Sequence, residues 1–110
     1  MMRASLRLAC CAALLMGAAH AQTEPRFAAD DIQKGNALFH RTCAQCHGRN
    51  MVNSGTTTYD LRRFPVDQPE RFVQSVTNGK GNMPSFKEVF SPEEIGKLWA
   101  YVGSRGGKEP

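Results

Sequence analysis

Apolar positions in this chain recur with a helical period in three separate stretches, and no stretch alternates convincingly as a strand would. In DDIQKGNALFHRT, Ile32, Gly35 and Phe39 fall at i, i+3 and i+7 on one face, with Asp30 as the expected N-cap. A glycine inside a helix costs about 1 kcal/mol relative to alanine, so Gly35 is expected where another backbone packs close. In DQPERFVQSVTNG, Asp67 is the expected cap, Pro69 suits the first turn, Phe72, Val73 and Val76 form the apolar side, and Gly79 stops the helix. SPEEIGKLWAYVG opens with a capping box from Ser91 and Glu94 around Pro92. It carries an apolar stripe of Ile95, Leu98, Trp99 and Val102 and is expected to end at Gly103. The tail GSRGGKEP reads as a frayed terminus. Residues 48–66 show no period, and so long a loop in a compact domain is usually functional or wrapped around something. The expected class is all-α: about three main helices with long loops.

A fourth apolar run, Leu8 to Met16, follows Arg3 and Arg7 and leads to the small-residue triplet Ala19-His20-Ala21. That order predicts a secretory signal peptide over residues 1–21, cleaved after Ala21, leaving one domain over 22–110. A membrane span needs roughly 18 or more apolar residues, and this run breaks at Gly17 and His20, so no membrane anchor is expected. A lipoprotein signal on Cys10 or Cys11 is the alternative, although Arg7 stands where an apolar neighbour is wanted. The net charge of +4 falls to +2 when Arg3 and Arg7 leave with the signal. No basic stripe remains, so a nucleic-acid partner is poorly matched. A domain this small is near the limit at which an apolar core alone suffices, and a bound group is expected to complete the core.

The cysteines left after cleavage are Cys43 and Cys46, in the sequence RTCAQCHGRN with His47 directly after. Structural zinc needs four ligands, usually in two spaced pairs, whereas the candidates Cys43, Cys46, His47 and His40 crowd into eight positions. A thioredoxin-like dithiol requires a βαβ unit, and no strand is expected here. C-x-x-C-H is also the attachment signature of c-type haem: two thiols add to the two vinyl groups of one porphyrin edge, and the adjacent histidine reaches the iron from one face. This reading demands a ligand for the opposite face. Met51 lies too close to His47 to travel round the ring, and His40 sits on the helix before the motif. Met83 stands in the glycine-punctuated NGKGNMPSF, where Pro84 disfavours helix, and is the expected axial partner of His47.

With these residues in place the chain resembles the small class I c-type cytochromes from Asp30 to Arg105. The resemblance rests on Gly35 and Phe39, on Cys43, Cys46, His47 and Gly48, on Met83 in MPSF, and on Leu98 and Tyr101. It implies that Gly35 and Phe39 of the first helix cross Leu98 and Tyr101 of the last. YDLR and NGKGNMPSF further resemble haem domains that accept electrons from quinoprotein alcohol dehydrogenases. The chain between His47 and Met83 is shorter than in mitochondrial cytochromes c, which changes the cover over the haem propionates.

The implied function is one-electron carriage in the periplasm by a single covalent haem c, without catalytic equipment. The implied partners are periplasmic redox proteins, among them a quinoprotein (PQQ) alcohol dehydrogenase as donor and a terminal oxidase or another cytochrome as acceptor. The protein is expected to be monomeric. Phe64, Phe72, Phe86, Ile95 and Trp99 are the candidate pocket walls, Arg62 or Arg63 the candidate propionate partner, and Tyr59 a further donor to the same group. Arg49, Lys80 and Lys87 are the cations nearest the expected haem edge. Two alternatives belong to other classes: a haem peroxidase with a displaceable sixth ligand, and a haem c subunit fixed in a larger oxidoreductase.

Overall fold

The computed structural model describes residues 2, 12–14, 16–17, 24–53 and 58–110. Arg3, Arg7, both Cys10 and Cys11, and the Ala19-His20-Ala21 cleavage triplet lie outside the described residues.

Helix α1 (Ala29–Leu38) runs without interruption into a π-helical turn (Phe39–Cys43) and then into a short α2 (Ala44–His47). One helical path thus carries the chain through the whole C-x-x-C-H motif, with a π segment just before the attachment residues, a position typical of functional sites. Asp30 lies inside the first turn and does not cap it: the N-cap is Ala28, with no side-chain bond. Asp30 and Asp31 still favour the positive end of the helix dipole.

Helix α3 (Pro69–Asn78) begins one residue later than the sequence suggests, because the N-cap is Gln68 and not Asp67. Phe72 and Val76 are buried, whereas Val73 is 38% exposed and lies off the apolar face. Gly79 ends the helix at φ +78°, in a loop turn that a side chain would strain. Helix α4 (Pro92–Gly103) has the expected capping box: Glu94 N–H donates to Ser91 Oγ at 3.1 Å, and Ser91 N–H donates to Glu94 Oε1 at 3.0 Å. It ends at Gly103 as expected, with Ser104 as its C-cap. Short 3₁₀ turns at Arg49–Met51 and Leu61–Arg63 punctuate the long loop, and among the described residues the only β pairing is an isolated bridge between Lys80 and Met83.

The central packing event is the crossing of α1 and α4. A Cβ on Gly35 would stand 1.9 Å from the carbonyl oxygen of Lys97 and 2.9 Å from Tyr101 Cβ. Only a glycine permits backbones this close. One turn further on, the Phe39 and Tyr101 rings meet at 5.1 Å. Gly35, Phe39 and Tyr101 thus meet where the resemblance placed them, and Leu98 is buried in the same core. On the other side of α4, Phe64, Phe72 and Trp99 form a closed triangle with ring centroids 5.7, 5.7 and 5.2 Å apart. Such pairs each contribute about 0.5–1.5 kcal/mol beyond their buried area. Phe90, 2% exposed, completes the core and was not singled out from the sequence.

The C-terminal tail is not frayed. Ser104 is wholly buried; its Oγ donates to the Tyr101 carbonyl at 3.1 Å and accepts from Gly107 N–H at 3.0 Å, and Glu109 N–H donates to the Ser104 carbonyl at 2.8 Å. The tail wraps back because Arg105, Gly106 and Gly107 all adopt positive φ. Arg105 Nη1 then donates to the Leu61 carbonyl at 3.3 Å and joins the tail to the long loop.

Candidate functional site

A cavity of about 460 Å³ opens between the π–α2 segment, the loop from Thr58 to Phe64, α3 and the loop after it. Cys43, Cys46, His47 and Met83 all line it, so the fold brings the four expected haem-holding residues to one place. Cys43 is half-buried, and burial, with Cys46 adding to it, pushes its thiol up to about 11. Cys46 is exposed at the edge.

His47 is set by a single hydrogen bond. Its Nδ1 lies 3.1 Å from the carbonyl oxygen of Tyr59. A carbonyl can only accept, so Nδ1 carries the proton and Nε2 keeps its lone pair, the tautomer a metal ligand needs. Burial lowers the pKa of His47 and favours the same neutral form. The next residue, Gly48, has φ +86°, and a Cβ there would lie 1.9 Å from the Val52 carbonyl oxygen. The chain can leave the motif along this path only because residue 48 is glycine.

Met83 is presented by a tight turn in which Lys80 and Met83 exchange backbone hydrogen bonds of 3.0 Å each. Phe86 N–H donates to the Val76 carbonyl at 2.9 Å, and Ser85 Oγ donates to the Thr77 carbonyl, which pins the loop to the end of α3. The other two ligand candidates are elsewhere. Met51 is 2% exposed within the core. His40 accepts from Asn50 N–H at 3.0 Å through Nε2 and donates through Nδ1 to the Asn36 carbonyl at 2.9 Å, so it fastens the loop after the motif to α1.

The remaining expectations divide. Phe64, Phe72 and Phe86 line the cavity, but Ile95 and Trp99 do not; they belong to the packing behind it. Arg62 and Arg63 do not line it either. Arg62 grips Asp60 with both arms of its fork, Nε to Oδ1 and Nη2 to Oδ2 at 2.9 Å each, and holds that carboxyl below its usual range. Tyr59 does line the cavity; its carbonyl accepts from His47, while its hydroxyl donates to the Arg63 carbonyl at 3.4 Å. The arginine that does line the cavity is Arg71, which carries no motif signature and stands out only once α3 is placed beside Phe64.

The lining is mostly apolar, within the range of small-molecule sites at about 300–1,000 Å³, with two thiols at one edge, a neutral imidazole and a thioether. That donor set fits a haem c.

The family model described as "Cytochrome C oxidase, cbb3-type, subunit III" matches residues 30–102. Cytochrome c6 of Nostoc sp. (strain PCC 7120 / SAG 25.82 / UTEX 2576) is 38% identical over 84 residues, which cover 73% of this chain and 75% of that protein. The chain belongs to the c-type cytochrome family.

The quinohemoprotein alcohol dehydrogenase ADH-IIG of Pseudomonas putida is 32% identical over 76 residues, 67% of this cytochrome but only 10% of the enzyme. Its solved structure superposes with a TM-score of 0.63 at 30% identity, covering 76% of this cytochrome and 13% of the enzyme chain. The cytochrome therefore has the small class I cytochrome c fold and corresponds to a minor part of that larger enzyme. Among its described residues no helix is long and apolar enough to cross a membrane.

Proposed function

We propose that this cytochrome is an exported one-electron carrier with a single haem c, held as thioethers by Cys43 and Cys46 and ligated by His47 and Met83. The observation that carries the reading is the orientation of His47: its Nδ1–H is bound by the Tyr59 carbonyl, which leaves Nε2 available on the wall of a cavity that Met83 also lines. When bound, the haem would supply one reversible electron. Phe64, Phe72 and Phe86, which line the cavity, would keep water from it. An apolar surround disfavours the more highly charged ferric state, and methionine–histidine ligation is associated with raised potentials. Because His47 and Met83 would both be ligands to the iron, no position would be left for a substrate, and the reading is carriage and not catalysis.

Export is read from the signal-like residues 1–21, which support a periplasmic carrier, and the carrier is proposed to act as a monomer. The similarity to part of a quinohemoprotein alcohol dehydrogenase supports a quinoprotein dehydrogenase as electron donor, with a terminal oxidase or another cytochrome as acceptor. A second reading, a haem c subunit fixed in an oxidase, is favoured by the description of the matching family model. Protein purified from a periplasmic fraction, denatured and extracted with acidified organic solvent, should keep its haem mass and colour; a colourless chain after extraction would overturn covalent attachment. Purification without detergent as a single chain that oxidises a reduced quinoprotein dehydrogenase supports the carrier, whereas recovery only with oxidase subunits supports the second reading.

A further inference from the structure

Apart from its ligands and apolar walls, the cavity has an unbalanced charge. Arg71 and Lys80 both line it, and among the described residues no aspartate or glutamate does. The same two residues, with Ser75, also line a smaller polar cavity of about 290 Å³ on the outer side of α3, so they stand at the boundary between the haem cavity and the surface. Arg71 is exposed, but its guanidinium lies over an aromatic ring: Cζ is 5.0 Å from the centroid of Phe64, which is itself buried. Stacking on an aromatic face keeps a guanidinium flat and leaves its N–H edge open to acceptors. Arg71 makes one hydrogen bond among the described residues, Nη1 to Gln68 Oε1 at 3.2 Å.

We propose that Arg71, stacked on Phe64 at the cavity mouth, is the counter-ion for the carboxylates of the group bound in the cavity, with Lys80 as a second cation. The inference rests on the haem reading above, since haem c brings two propionates. It replaces Arg62 and Arg63 in that role. Arg62 already has its Nε and Nη2 on Asp60, and neither residue reaches the cavity lining. A planar fork matches a carboxylate in two parallel bonds, which a lysine cannot reproduce. Through this pairing Arg71 positions the haem and offsets a negative charge near the iron, and an offset negative charge no longer favours the ferric state.

The test uses the intact haem-loaded protein and two readouts that do not depend on electron-transfer activity: the reduction potential and the propionate bending band in resonance Raman spectra. Arg71→Gln should move the oxidised-to-reduced equilibrium about three- to tenfold toward the oxidised form, tenfold being about 59 mV for one electron, and should shift the propionate band. Arg71→Lys should restore most of the potential but not the band, because charge returns without the fork. Lys80→Gln should give a smaller shift, and Arg62→Gln should leave both readouts unchanged. Unchanged readouts in Arg71→Gln, or shifts in Arg62→Gln of equal size, would overturn the assignment. If Arg71→Gln loads no haem, Arg71→Lys decides: a wild-type band in that variant would also overturn it. Failure of the haem reading itself is seen separately, as wild-type protein without a covalent haem spectrum.

Discussion

His47 Nδ1 and the Tyr59 carbonyl oxygen are 3.1 Å apart, and this contact joins the haem motif to a loop twelve residues further along the chain. The acceptor is backbone, so the identity of the side chain at 59 is irrelevant to the tautomer of His47. The Tyr59 hydroxyl makes only a long bond of 3.4 Å to the Arg63 carbonyl. Tyr59→Phe should therefore leave the reduction potential unchanged and cost less than about 1 kcal/mol of stability. A clear shift in potential would return the hydroxyl to the propionate role that the sequence suggested for it.

Two glycines in the helices should respond in opposite directions. Gly35→Ala forces a methyl group into the Lys97 carbonyl, a backbone atom that cannot move aside without separating α1 from α4. Overpacking of this kind should cost about 3 kcal/mol or more. Gly96 lies within α4 with nothing within 4 Å of its would-be Cβ. Gly96→Ala should stabilise the protein by about 0.5–1 kcal/mol, because alanine is the better helix former. Denaturant unfolding of the haem-loaded variants measures both; equal effects would contradict the packing described at the crossing.

What the sequence revealed and what it concealed follow the range of the interactions. The capping box of Ser91 and Glu94 and the stop at Gly79 depend on neighbours within four residues, and both are where the pattern puts them. The crossing at Gly35 and Tyr101 is long-range: a glycine inside a helix announces a close backbone at Gly35, but its partner on the last helix comes only from the family resemblance. Arg71 gave no signal, since a charged residue on a helix is unremarkable until Phe64 arrives beneath it. A DLRR loop offers two guanidiniums, but the aspartate that engages Arg62 stands in the same loop, and which partner a guanidinium takes is not written in its spacing. Ile95 and Trp99 suited either the cavity wall or the core, and they lie in the core, a distinction that periodicity does not contain.

The two methionines near the site should separate cleanly. Met83→Ala should lower the potential, abolish the methionine–ferric charge-transfer band and admit added ligands such as cyanide, because it removes the proposed sixth ligand. Met51 is 2% exposed and packed in the core away from the cavity lining. Met51→Ala should cost about 2–5 kcal/mol and keep the charge-transfer band. Loss of the band in Met51→Ala with normal spectra in Met83→Ala would reverse the ligand assignment.

The tail offers the sharpest contrast with a reading from composition. Three glycines and several charges in the last eight residues suggest fraying, yet two of the glycines, Gly106 and Gly107, take positive φ with Arg105 and turn the chain back over the buried Ser104. Deleting residues 104–110 removes the Ser104 bonds to Tyr101 and Gly107, the bond from Glu109 N–H, and the Arg105 bond to the Leu61 carbonyl. At about 0.5–1.5 kcal/mol net for each hydrogen bond, the truncated protein should lose on the order of 2 kcal/mol or more. Part of that loss acts on the site, because Leu61 opens the 3₁₀ turn that follows Tyr59, the residue whose carbonyl holds His47. Arg105→Ala alone should therefore cost less in stability than the truncation while loosening the same loop, which faster amide hydrogen exchange at residues 61–64 would detect. A truncated protein with wild-type stability and exchange would show that the tail has no hold on the loop.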